Sequence, residues 1–330
     1  MRYKLLNISI LPIFGIFFIF VYLITTFDST LHDVHLFRQS QILVTTQGFL
    51  ERYNLFEPYI PVFGESDLIA GFEIPIMQYL AARLSSLFGV HPVITLKLIS
   101  VVSYFLCIVV ILKSSLLHLR EKSIILLSII LLNPVNIAYV ASVNIEFWSI
   151  AFALIAAFLV INEKNLGLIL IVATIAAASK IIIFISFALL ALLILLQNKI
   201  QAKRFIFLVI IFLISLTLFI GWNAYIQHFF ESGFFISQVQ TDSSWYLGDI
   251  QQRLSIFNNI ELIFKTFIFV NPILILYSLR ESGFISTLKN FFLTFLAGPF
   301  LFFNVHLVHD YYFLASTFMF SLLMAYDKKD

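Results

Sequence analysis

Ten stretches of the chain are apolar for long enough, or nearly long enough, to cross a bilayer: Leu5–Phe27, Val93–Leu112, Ser123–Ser142, Ile145–Ile161, Leu166–Ser179, Ile181–Gln197, Phe205–Gly221, Glu261–Leu279, Phe291–Asn304 and Tyr311–Tyr326. They predict an all-α, polytopic transmembrane helix bundle of about ten spans, one domain over residues 1–330. Ile74–Phe88 is apolar but short and contains Arg83, which predicts a re-entrant or interfacial helix. Two segments between spans are long, residues 28–74 and 222–260, and both fall on the same side of the predicted bundle. Long loops on a packed scaffold are where binding and catalysis concentrate, so the chemistry is sought there.

Composition agrees with this pattern. Hydrophobic residues make up 61% of the 330 positions and charged residues 12%, more apolar surface than one soluble core can bury. Arg2 and Lys4 precede the first apolar run, which exceeds a signal-peptide core and lacks a small-residue cleavage pattern, so it reads as an uncleaved span.

Charge sets the orientation. With the N-terminus in the cytoplasm, the short inner segments carry thirteen basic residues against five acidic ones, and the outer segments seven against thirteen. This obeys the positive-inside rule and predicts both termini in the cytoplasm, with both long segments outside. A total of +2, with no basic run interleaved with aromatics, argues against nucleic acid. The single cysteine, Cys107, excludes a disulfide framework and a cysteine metal site.

Polar groups gather at the start of the first outer segment, in the run from Asp28 through His32, Asp33, His35, Arg38 and Gln39 to Gln41. On a helix His35, Arg38 and Gln39 share an arc of roughly 100°, while Asp33 points the other way and suits the helix start. An N-cap carboxylate there accepts backbone N–H groups and can also serve as a base. Glu65 and Asp67 read as solvated loop, and Pro75 as the first residue of the interfacial helix. Lys180 interrupts two apolar runs, which predicts a cation near the outer surface, either snorkelling or pairing with an anionic ligand. His32, His35, Asp33, His309 and Asp310 are of metal-binding types but lack close ligand spacing, so no metal and no other cofactor is assigned and a divalent ion is the disfavoured alternative.

The run His32–Gln41, the run Phe72-Glu-Ile-Pro-Ile-Met-Gln-Tyr-Leu80 and the following Leu87-Phe-Gly89 resemble the first outer loop of bacterial membrane glycosyltransferases of the C-type superfold, related to protein mannosyltransferases and lipid A aminoarabinose transferases. Asn144-Ile-Glu146 and Val308-His-Asp-Tyr-Tyr312, each opening a span on the outer side, are similar to that superfamily too. The resemblance implies transfer of a sugar from a polyprenyl-phosphate donor to an envelope glycan, lipid or protein acceptor outside the cytoplasm. It places the catalytic base at Asp33, with Asp28 second, and donor or acceptor contacts at His35, Arg38, Gln39, Glu73, Glu146, Lys180, His309, Asp310 and Tyr311. Arg38 and Lys180 are then the expected partners of the phosphate. The contrary reading is a flippase for lipid-linked sugars or another transporter, which calls for ionisable groups within spans and helices broken by glycine or proline. The sequence shows neither feature plainly.

Overall fold

Four of the apolar runs contain an internal proline, and in three of them, Ser123–Ser142, Glu261–Leu279 and Phe291–Asn304, the α-helix breaks there. A proline has no N–H to donate and crowds the preceding turn, so the residue before it leaves the α conformation. The computed structural model describes residues 12, 15–17, 19–22, 24–26, 28, 30–31, 35–52, 54–57, 73–118, 123–162, 165–197, 202–229 and 247–326. Described residues between Gly15 and Thr26 are helical. The first outer segment supplies α1 (Leu36–Arg52) and α2 (Ile76–Phe88), the latter starting just after Pro75 and closing on Gly89 in the left-handed conformation, φ 64°. Then follow α3 (Pro92–His118), α4 (Ser123–Leu131), α5 (Pro134–Val140), α6 (Glu146–Ile161), α7 (Leu166–Ser179), α8 (Ile181–Gln197) and α9 (Ala202–Phe229). After the second outer segment come α10 (Ile250–Leu254), α11 (Ile256–Val270), α12 (Pro272–Ser282), α13 (Phe284–Phe295), a π-helical turn at Leu296–Phe300, α14 (Phe303–Val308), a 3₁₀ turn at Asp310–Phe313 and α15 (Leu314–Tyr326).

Every element among the described residues is helical, and the apolar helices make this a membrane protein. The count of about ten crossings is not reproduced. Two helices are long and apolar enough alone, α3 over Pro92–Ser114 and α9 over Leu208–Ile226, and the number rises to four if each bent pair is one span. The expected span Ser123–Ser142 bends by 59° between α4 and α5, and Glu261–Leu279 by 78° between α11 and α12. Phe291–Asn304 is interrupted by the π-helical turn around Pro299. Helices α6, α7 and α8 are apolar but shorter than a usual crossing.

Both bends are built the same way, from Asn-Pro. The Asn133 side chain accepts from Val135 N–H and the Asn271 side chain from Ile273 N–H, so each asparagine caps the helix its proline begins. Each also reaches across to the other bend: Asn133 Nδ2 donates to Thr317 Oγ1 at 3.1 Å and to the Phe269 carbonyl at 3.5 Å, and Asn271 Nδ2 to the Ile129 carbonyl at 3.4 Å. Carbonyls freed where α4 and α11 end therefore find donors inside the bundle. Helix α15, buried from Leu314 to Ala325, forms the centre. Tyr104 of α3, Phe147 of α6 and Phe318 of α15 meet edge to face there, with centroids 5.1 to 6.3 Å apart.

Candidate functional site

Glu146 opens α6, where the helix dipole favours a carboxylate, and Lys180 lies in the extended break between α7 and α8. Their side chains form a buried ion pair, 1% and 5% exposed. The lysine therefore does not snorkel to the surface. It turns inward, because a buried charge needs a counter-charge. Its ammonium also sits over the rings of Tyr311, at 4.7 Å, and Tyr312, at 4.4 Å.

Tyr311 gathers the remaining residues. His309 stacks on it at 5.2 Å, and His35 meets it edge-on at 5.0 Å. Tyr139 lies 6.2 Å from His35 on the other side. His35 precedes α1 with φ 55°, a left-handed backbone that turns the chain into that helix and is uncommon outside glycine. One turn on, Gln39 Oε1 accepts from Val143 N–H at 3.1 Å, which ties α1 to the segment leading into Glu146. Arg38 pairs with Glu73 and donates to Gln41 Oε1 at 3.4 Å. Burial, with the nearby charges of Lys180, His35 and Arg38 adding to it, holds His309 down at about 4, so it is neutral at pH 7.

The 3₁₀ turn splits the two residues that open it. His309 faces the Tyr311 cluster, whereas Asp310 pairs with Lys265 at 2.8 Å, which also holds Glu261 at 2.8 Å. Of the residues the sequence singles out, His35, Arg38, Gln39, Glu73, Glu146, Lys180, His309 and Tyr311 thus stand in one connected neighbourhood, with Asp310 on its flank. Asp33, His32, Glu65 and Asp67 lie outside the described residues. Asp28 is described and stands apart: its Oδ1 accepts from Thr30 N–H at 3.1 Å, Thr30 Oγ1 at 2.7 Å and Lys97 Nζ at 3.2 Å. Those hydrogen bonds, first from Thr30 and then from Lys97, hold the carboxyl well below the usual range.

Three residues escaped the sequence reading, Lys97, Tyr139 and Lys265, and Tyr312, seen there only as part of a motif, proves to lie under the Lys180 ammonium. Lys97 is fully buried and also donates to the carbonyls of Thr26 at 2.7 Å and Asp28 at 3.1 Å, closing the end of the first helix. A lysine inside an apolar run is a functional-site signal by itself, and it applied to Lys97 and Lys265 as much as to Lys180. One buried ionisable pair and two helices bent at proline are therefore present among the described residues, features that hydropathy did not display. Among the described residues no three His, Cys, Asp or Glu side chains stand close enough to share a metal ion.

No family model and no curated protein matches the sequence. Solved structures do. ArnT from Cupriavidus metallidurans bound to undecaprenyl phosphate superposes with a TM-score of 0.60 at 13% identity, over 95% of this chain and 59% of that one. ArnT from the same organism in the apo state gives 0.57 at 11% identity, over 95% and 58%. The chain thus spans about three fifths of the length of the ArnT structures and, over nearly all of its own length, has the fold of ArnT, a lipid A aminoarabinose transferase.

Proposed function

We propose that the chain is a membrane glycosyltransferase of the C-type superfold, moving a sugar from a polyprenyl-phosphate donor to an envelope glycan, lipid or protein on the outer face of the bacterial inner membrane. What carries the reading is a buried cluster of cations, carboxylates and tyrosines in a fold that, in ArnT, has been solved with undecaprenyl phosphate bound. Transfer needs a base to take the acceptor's proton and cations to stabilise the departing phosphate oxygens. Asp33 is the proposed base. Asp28 is the weaker candidate, because a carboxyl already stabilised by three donors is a poor proton acceptor. Arg38 and Lys180 are the proposed phosphate partners; each already faces a carboxylate, so a bound phosphate would share or displace Glu73 and Glu146. Single displacement at the anomeric carbon would invert its configuration.

The bent helices and the buried Glu146–Lys180 pair favour one competing reading, a transporter of lipid-linked sugar that does no chemistry. Incubating the purified protein in detergent with polyprenyl-phosphate sugars and a bacterial envelope extract separates the two. A new glycosidic product supports transfer; movement of unchanged lipid across proteoliposomes with no product rejects it.

A further inference from the structure

Near the cluster, three buried polar atoms have no hydrogen-bond partner among the described residues, and they are of two kinds. Arg38 Nε is a donor, left over while the rest of the guanidinium engages Glu73 and Gln41. Glu146 Oε2 is an acceptor, left over while Oε1 binds Lys180. Asn144 Oδ1, on the same segment as Glu146, is a second acceptor, its amide nitrogen being spent on Tyr139 and Ser142. A buried polar atom without a partner is costly, and more so when charged, so native proteins leave few of them uncompleted.

Their surroundings point to the ligand. Lys180, the partner of Glu146, lies over the Tyr311 ring, and His35, three residues before Arg38, meets the same ring edge-on, while Gln39 beside Arg38 accepts from Val143 N–H next to Asn144, so the donor and the acceptors belong to segments that converge on Tyr311. Tyr311 and Tyr312 lie tilted against each other, centroids 4.8 Å apart, with the Lys180 ammonium over both rings. A ligand that completes these atoms has an anionic or carbonyl oxygen for Arg38 and hydroxyl or amine hydrogens for the two acceptors. A glycosyl phosphate has both.

We propose that Glu146 Oε2 and Asn144 Oδ1 accept hydrogen bonds from hydroxyl or amino groups of the transferred sugar while Arg38 Nε donates to the donor phosphate, so that Glu146 selects neutral and amino sugars and rejects acidic ones. The inference deepens the glycosyltransferase reading and rests on it. Besides its place beside the phosphate, Lys180 fixes one carboxylate oxygen of Glu146 so that the other is free for the sugar.

The test compares binding of bare undecaprenyl phosphate with the same lipid carrying a neutral hexose, a neutral pentose, an amino sugar or a uronic acid, measured on the full chain in nanodiscs. The parent chain is expected to bind at least one neutral or amino-sugar lipid about tenfold or more tighter than the bare lipid, the scale of a hydrogen bond to a charged group. The uronic acid should confer no such gain. Glu146→Met with Lys180→Met removes the acceptor without stranding a buried charge, and should abolish the sugar preference. Asn144→Ala leaves the ion pair in place and should reduce the preference several-fold, which keeps the inference testable if the double variant fails to fold. Equal parental affinity for bare and glycosylated lipid, a preference for the uronic acid, or a preference that survives both variants overturns the subsite while leaving the donor reading intact. Failure of the parent to bind any of these lipids overturns the donor reading and the subsite together.

Discussion

Asp28 and Asp33 share one short segment after the first helix, and their chemistry separates by what holds them. Asp28 has its charge satisfied by Thr30 and Lys97, and the backbone it caps is the same backbone Lys97 grips. Asp28→Asn should lower transfer by no more than a few-fold. Asp33→Asn preserves size and capping, since asparagine caps about as well as aspartate, but removes the base. It should fold, insert and lose roughly two or more orders of magnitude in rate. The measurement is initial transfer rate from a polyprenyl-phosphate sugar for both variants, normalised to protein in the membrane. Parental rates for both would reject carboxylate base catalysis in this segment whatever the sugar.

Elements bring the cluster together from distant parts of the chain: α1 carries Arg38 and Gln39, α6 begins with Glu146, the α7–α8 break carries Lys180, and the 3₁₀ turn carries Tyr311. The Glu146–Lys180 pair fastens the start of α6 to that break, so it should be a stability determinant too. Lys180→Met alone strands a buried carboxylate and should cost about 3–5 kcal/mol, whereas joining it with Glu146→Met should restore most of that loss. Melting of the purified variants in one detergent checks this; equal losses in the single and double variants would mean the pair is not coupled. Much of this element-level picture was legible beforehand. Helices α1 and α2 follow from the polar run at His35 and from Pro75, and the break at Ser179-Lys180 was visible as a charge between apolar runs. The bends at Asn133-Pro134 and Asn271-Pro272 were not, because hydropathy alone reads straight through a proline when its flanks stay apolar. Nor was the partner of each charge. That Arg38 meets Glu73 and Asp310 meets Lys265 depends on tertiary packing, which spacing along one strand of sequence does not encode.

At the scale of the whole molecule, α9 leaves Ile206, Leu213 and Ile220 more than half exposed, and α11 does the same with Ile256, Phe257 and Phe264. In water such faces would drive aggregation; in a bilayer they contact acyl chains, and the polar backbone behind them is satisfied within each helix. Sidedness comes from a different source, the excess of Lys and Arg on one set of loops. By that rule His91, exposed between α2 and α3, is expected in the outer set, and Lys289, exposed on α13, in the inner set. Cys107 is buried and gives little background to a thiol reagent, so single cysteines can report each side. In intact cells, His91→Cys should react with a membrane-impermeant maleimide, and Lys289→Cys should react only after the membrane is opened. The cluster at Tyr311 lies on the side that His91 reports, because α2 leads from Glu73 of the cluster to the turn carrying His91 only if it lies along the surface and does not cross. Its 13 residues reach about 20 Å at 1.5 Å each, too short for a hydrocarbon core of about 30 Å. Labelling of Lys289→Cys from outside, with His91→Cys protected, would therefore place the cluster in the cytoplasm, where an extracytoplasmic acceptor could not reach it.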